Sequence, residues 1–161
     1  MKKVLIFVAH QDDETIGCGG TISKFSKSGT HVTVVFVTDG STGVSKLESK
    51  NSEEIVSKRS KESKKACRIL GVNEVIELRL PCQKVDNNQE NFHKFIKIIR
   101  SQKPELVITH SDNDKHRDHR AVNLYASPFH EDRFEWVQEL GLTTNKIASS
   151  GFCDLIILIN L

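Results

Sequence analysis

Aromatic residues are scarce in this sequence. They make up 6% of 161 residues, with one Trp and one Tyr beside eight Phe. A core must therefore rest on Ile, Leu and Val, and few rings are available to stack on a base or a sugar. Long apolar runs are also missing. None approaches the roughly 20 residues of a membrane-spanning helix, so no integral membrane segment is expected. The run from Val4 to Ala9 is shorter than the roughly 7–15 apolar residues of a signal-peptide core and reads as a β-strand. Neither charge sign dominates: 23 Lys and Arg face 21 Asp and Glu, a net charge of +2. That balance argues against a nucleic-acid partner. The basic excess is local, with eight basic and four acidic residues between Lys46 and Arg68, the pattern of a solvated helix face. The four cysteines, Cys18, Cys67, Cys82 and Cys153, form no C-x-x-C pair. They read as free thiols of a cytoplasmic protein.

What is present suits a globular chain. Hydrophobic residues reach 37% and charged residues 27%, which excludes disordered and collagen-like classes. The length suits one domain. No repeat, low-complexity tract or linker is visible.

Val4–Ala9, His31–Thr38, Glu74–Leu80 and Glu105–Thr109 read as strands. The periodic segments Asp13–Lys27, Glu53–Leu70 and Asn91–Ser101 read as helices. On the first helix, Ile16, Gly20 and Lys24 share a stripe with Phe25 beside it. Strands and helices alternate, and the strands are apolar on both faces. That predicts an α/β fold, Rossmann-like, with a mostly parallel sheet and helices on both faces. Beyond Ser127, Phe134, Val137 and Leu140 suggest a short helix, and Asp154–Leu161 a further strand. An unpaired apolar tail is an aggregation hazard, so it should join a sheet edge or bury against a second copy of the chain. The latter leaves a homo-oligomer open.

Two clusters carry chemistry. His10-Gln-Asp12-Asp13-Glu14 follows the first strand, and His110-Ser-Asp112-Asn-Asp114-Lys-His116-Arg-Asp118-His119 follows the fourth. In open α/β sheets ligands bind outside the carboxyl ends of strands, at a topological switch point, and the first and fourth strands commonly flank it. Both clusters mix imidazole with carboxylate, which zinc accepts. Three such ligands with an open fourth position make a catalytic site. Spacing alone does not choose between His116 and His119 as the ligand.

Taken together, Ala9-His-Gln-Asp-Asp-Glu14, Gly19-Gly20, Arg59-x-x-Glu62 ahead of Leu70-Gly71-Val72, and His116-x-Asp-His119 resemble the LmbE-like/PIG-L family of zinc-dependent N-deacetylases. Gln11 and Arg117 stand where that family usually has proline. The resemblance implies Zn2+, or another divalent metal, on His10, Asp13 and His119. It implies Asp12 as general base and His116 as an imidazolium that stabilises the oxyanion or protonates the leaving amine. Asp118 would orient His116 and raise its pKa, and Arg59 would contact the substrate with Glu62 as its support. The implied reaction removes an acetyl group from an N-acetylglucosamine-type sugar or glycoconjugate, a small-molecule substrate. Residues 1–126 correspond to the deacetylase core, and 127–161 form an atypical, shortened C-terminal segment of the same domain.

Other readings accompany these. Ile55, Arg59, Glu62, Ala66 and Ile69 fall on one helical stripe expected to face the sheet, where a charge must be paired or functional. A structural Arg59–Glu62 pair is the plain alternative. Asp39-Gly40, at the crevice end of the second strand, reads as a turn, with a sugar-hydroxyl contact as the alternative. Asp112 and Asp114 are either partners of the histidines or loop caps, and His110 reads as structural. His31, His93 and His130 receive no role, and nothing marks Cys18 as a nucleophile. The functional rival is a metal-binding but inactive relative of the same fold. A nucleotide-binding domain is disfavoured, because Asp12, Asp13 and Glu14 repel phosphate where a phosphate-cradling loop would stand.

Overall fold

The structure is a computed structural model and describes residues 1–42 and 52–126, together with the backbone of 159–160. Its elements in chain order are β1 (Lys3–Val8), α1 (Asp13–Lys27), β2 (His31–Thr38), α2 (Ser52–Leu70), β3 (Glu74–Leu80), α3 (Gln89–Gln102), β4 (Leu106–Ile108), α4 (Arg117–Ala126) and β5 (Ile159–Asn160). One sheet runs in the order β3-β2-β1-β4-β5. The first four strands pair in parallel, and β5 pairs antiparallel with β4. The mostly parallel α/β sheet expected from the sequence is therefore present. The tail meets the sheet at Leu106↔Asn160 and Val107↔Ile159. The helix suggested near residues 134–141 lies outside the described residues.

Alternation along β1 divides the core between two faces, because successive strand side chains point to opposite sides. Leu5, Phe7 and Ala9 pack with Phe95, Ile98, Val122 and Tyr125 of α3 and α4. Val4, Ile6 and Val8 pack with Cys18, Ile22 and Cys67 of α1 and α2. Phe95 stacks between Phe7 and Tyr125, with ring centroids 4.9 and 5.0 Å away.

One local expectation, the sheet-facing stripe of α2, is corrected, and features of α1 and α4 were not foreseen. The α1 stripe does not face the sheet: Ile16 is 75% exposed, while Glu14, Cys18, Gly19 and Ile22 are buried. Cys18 leaves helical geometry at φ −144° and rotates the helix face. On α2 the buried residues are Ser63 and Cys67, and Ile69 is 78% exposed. Glu62 is exposed and lies 3.9 Å from Lys58, so the Arg59–Glu62 pair is not formed. Finally, α4 was not foreseen. Its opening Arg-Asp-His-Arg masks the spacing of Val122, Tyr125 and Ala126.

The chain leaves β1 for β2 on one side and returns through α3 to β4 on the other. The carboxyl ends of β1 and β4 thus flank the switch point. The two His/Asp clusters follow those two strands.

Candidate active site

His10 follows β1 and closes a tight loop, with its backbone N–H donating to Asp13 Oδ2 at 2.7 Å. Across the crevice, His119 sits in the first turn of α4. His10 Nδ1 and His119 Nε2 are 3.2 Å apart. Asp13 Oδ2 is 3.5 Å from His10 Nδ1 and 3.4 Å from His119 Nε2. Donors about 2.0–2.2 Å from one tetrahedral ion stand about 3.3–3.6 Å from each other. These three atoms therefore fit a shared divalent cation. Two overlapping sets, His10/His116/His119 and Asp13/His110/His119, also have donor atoms within 4.8 Å of one another.

Each histidine of the His10/Asp13/His119 triangle has a carboxylate behind it. Asp114 Oδ2 is 2.7 Å from His119 Nδ1. Asp118 Oδ2 is 3.0 Å from His10 Nε2 and accepts the Gln83 N–H at 2.8 Å. Asp118 is fully buried. Its carboxylate thus supports His10, not His116 as the resemblance implied. The link between Asp118 and His116 runs through the backbone instead: the Asp118 N–H donates to His116 Nδ1 at 3.2 Å. In the neutral ring that bond leaves the proton on Nε2.

The electrostatics follow from burial and these contacts. Burial alone would lower the His10 pKa. Hydrogen bonds to Asp13 and Cys82, the Asp13 charge and the Asp118 hydrogen bond outweigh it and raise the value to about 10. Burial would raise Asp13, but the three surrounding imidazoles hold it well below the carboxylate range. For His119 burial is opposed by Asp13 and Asp114, and the net direction is upward. His116 moves down, because burial and the charges of His10 and His119 outweigh Asp118. The imidazolium expected at His116 is therefore disfavoured, and a nearby dication would disfavour it further.

Asp12 occupies the N-cap of α1, where an Asp side chain ordinarily bonds the helix N–H groups. It makes no such bond here, and the side chain is exposed. His110 is buried. Its Nε2 accepts the Ala9 N–H at 2.9 Å, and its ring stacks on His119 at 3.9 Å. It tethers the end of β4 to β1. Asp112 is exposed.

Arg59 is half-buried, and among the described residues it forms no ion pair. A Cβ added to Gly40, at φ +70°, would stand 3.1 Å from Arg59 Cδ and would collide with the Gln11 side chain. Arg59 therefore lies against the Asp39-Gly40 turn at the crevice. Gln11, where the family usually has proline, donates its side-chain N–H to Thr38 O at 2.8 Å. That bond pins the β1–α1 loop to β2. Cys82, beyond β3, is buried and donates its S–H to Thr38 Oγ1 at 3.2 Å. Burial would raise its pKa, but hydrogen bonds with His10, Thr38 and Thr42 bring it down to about 7. A separate polar cleft of about 630 Å3 runs between α2 and β3, lined by Ser57, Ser60, Lys64 and Arg79. It meets the crevice at Asp39, whose Oδ1 accepts the Cys82 N–H at 3.3 Å.

The sequence singled out His10, Asp12, Asp13, Arg59, His116, Asp118 and His119, and all lie around this crevice. Cys82 and Gln83 were missed, since nothing in a lone cysteine after a strand signals a partner 72 residues earlier.

The family model described as "PIG-L: GlcNAc-PI de-N-acetylase" matches residues 5–129. The chain belongs to this family. Among PIG-L relatives, the diacetylchitobiose deacetylase of Thermococcus kodakarensis is 33% identical over 123 residues, covering 74% of this chain and 46% of that protein. The solved structure of the N,N'-diacetylchitobiose deacetylase from Pyrococcus horikoshii superposes with a TM-score of 0.73 at 31% identity. It covers 92% of this chain and 58% of that one. The 4-carboxy-2-hydroxymuconate hydratase GalB of Pseudomonas putida superposes with a TM-score of 0.72 over 78% of this chain and 54% of its own. At 24% identity that likeness concerns the fold alone. The chain thus spans about half the length of these relatives. A shared fold does not fix the reaction, which must be argued from the site.

Proposed function

We propose that the protein is a zinc-dependent N-deacetylase acting on an N-acetylglucosamine-type sugar or glycoconjugate in the cytoplasm. The observation that carries this reading is the triangle of His10 Nδ1, Asp13 Oδ2 and His119 Nε2, with sides of 3.2–3.5 Å. Two of the relatives described above are named diacetylchitobiose deacetylases. The donor set suits zinc, and other divalent ions share these ligands.

When bound, such an ion activates water and polarises the acetyl carbonyl. The protein's own groups do the rest. Asp12, exposed and unused as a cap, accepts the water's proton and later delivers it to the departing amine. Neutral His116, with its proton on Nε2, donates a hydrogen bond to the oxyanion of the tetrahedral intermediate. This replaces the imidazolium role, because the same proton need not come from His116 once Asp12 carries one. Asp114 and Asp118 hold the rings of His119 and His10. Arg59 contacts the sugar at the Gly40 side, and the polar α2–β3 cleft takes the remainder of the substrate.

The test is acetate release by zinc-loaded protein across a panel of N-acetyl sugars, beginning with N-acetylglucosamine and diacetylchitobiose. Turnover that disappears in Asp12→Asn while the metal stays bound supports the reading. Metal binding without turnover on any acetamide would leave the inactive relative as the correct description.

A further inference from the structure

His10 offers its two ring nitrogens to two different groups of donors. Nδ1 faces Asp13 and His119, as described. Nε2, on the opposite edge, lies 3.0 Å from Asp118 Oδ2. The Cys82 sulfur completes that second group: His10, Cys82 and Asp118 have donor atoms within 4.8 Å of one another.

Two independent features suit this group to a cation. Asp118 is fully buried, and its second oxygen, Oδ1, has no hydrogen-bond partner among the described residues. A buried carboxylate oxygen without a partner is costly, and a cation satisfies it. The group is also built to hold its shape. The Cys82 N–H is anchored on Asp39 Oδ1 at 3.3 Å. The next residue, Gln83, adopts φ +63° and directs its N–H to Asp118 Oδ2 at 2.8 Å. The turn after β3 is thereby fastened to the first turn of α4, with His10 between them.

We propose that Cys82, His10 Nε2 and Asp118 form a second cation site, selective for thiophilic divalent ions such as cadmium or excess zinc. Thiolate ligands favour soft ions over magnesium or calcium. On binding, the Cys82 S–H proton passes to solvent and a sulfur–metal bond forms. The Nε2 proton must also leave, and the neutral ring then carries its proton on Nδ1. Nδ1 then has no lone pair for a cation held with Asp13 and His119, so the two sites compete for one imidazole. The competition, though not the second site itself, rests on the reading of His10 as a ligand of the first.

The full-length protein is titrated with cadmium chloride, and the thiolate-to-cadmium charge-transfer absorption is followed in the ultraviolet. One thiolate per chain is expected at saturation. Cys82→Ser should abolish the signal, Cys67→Ser should retain it, and Asp118→Asn should weaken cadmium affinity at least about tenfold. In wild-type protein, NMR with spin-active cadmium should show scalar coupling to the β protons of Cys82 and the ring of His10, which needs no variant to fold. Absorption that survives Cys82→Ser, or coupling confined to other cysteines, overturns the site. None of these readings uses turnover, so failure here and failure of the deacetylase reading are separately visible.

Discussion

Asp114 Oδ2 stands 2.7 Å from His119 Nδ1, on the ring edge opposite the nitrogen that faces Asp13. Asp114 also accepts the His116 N–H through Oδ1 at 2.7 Å. One carboxylate thus fixes both the orientation of His119 and the loop that carries His116. Removing such a support ordinarily costs about 10–100-fold in metal affinity. Asp114→Ala should show that loss in a chelator competition titration, with the secondary structure intact. An unchanged affinity would remove Asp114 from the site.

Asp12 and Asp13 are neighbours with opposite circumstances. Asp13 is surrounded by three imidazoles, whereas Asp12 is exposed and makes no cap bond. Asp12→Asn should retain metal and lose about 10²–10⁴-fold in turnover, the usual range for a general base. Asp13→Asn should lose metal first. Metal analysis beside acetate release separates the two, and the reverse pattern would exchange their roles.

Metal binding should depend on pH through His10. In the metal-free protein its pKa stands at about 10, so a proton occupies the ring throughout the neutral range and must be displaced. Affinity should rise about tenfold per pH unit between about pH 6 and 8. The same shift has the opposite sign for the metal-free fold. His10 binds its proton more tightly folded than unfolded, so its stabilisation is complete below about pH 6.5. It is lost as pH climbs through about 10. Isothermal titration at several pH values checks the first statement and metal-free melting curves the second. A pH-independent affinity would contradict the contacts drawn around His10.

Gly40 and Gly29 make a matched pair. Both have positive φ, +70° and +79°, but only Gly40 has side chains where a Cβ would go. Gly29→Ala should cost about 1 kcal/mol from the backbone alone. Gly40→Ala should cost roughly 1–3 kcal/mol and also displace Gln11 and Arg59. Urea denaturation measures the difference, and equal costs would show that the Gly40 surroundings yield freely.

The parallel sheet was legible because β1 and β2 are apolar at nearly every position, which only a strand covered on both faces requires. The bounds of β2 matched for the same reason, and the end of β3 matched because Pro81 stops the strand. Side-chain facing was less legible. Ile16 and Ile69 belong to apolar spacings yet are exposed, since a kink at Cys18 and the buried Ser63 and Cys67 set the contact faces. Glu14 is the sharpest case. It follows two further acidic residues, yet it is buried. Its Oε1 accepts the Thr15 hydroxyl, and its pKa is driven upward by desolvation. At the site, spacing brought forward histidines and carboxylates that meet in the crevice, but not their pairing. Whether Asp118 meets His10 or His116 depends on how α4 enters, and α4 was hidden behind its polar first turn.

The strand order carries a consequence for synthesis. His10 and His119 are separated by 109 positions along the chain, and their strands become neighbours only after α3 has crossed the sheet. Ribosomes add about 5–20 residues per second, so the first half of the donor set waits about 5–20 s for the second. During that interval the nascent chain has β1, β2 and β3 to pair but no complete cation site. The three donors can therefore come together only once the return strand has arrived.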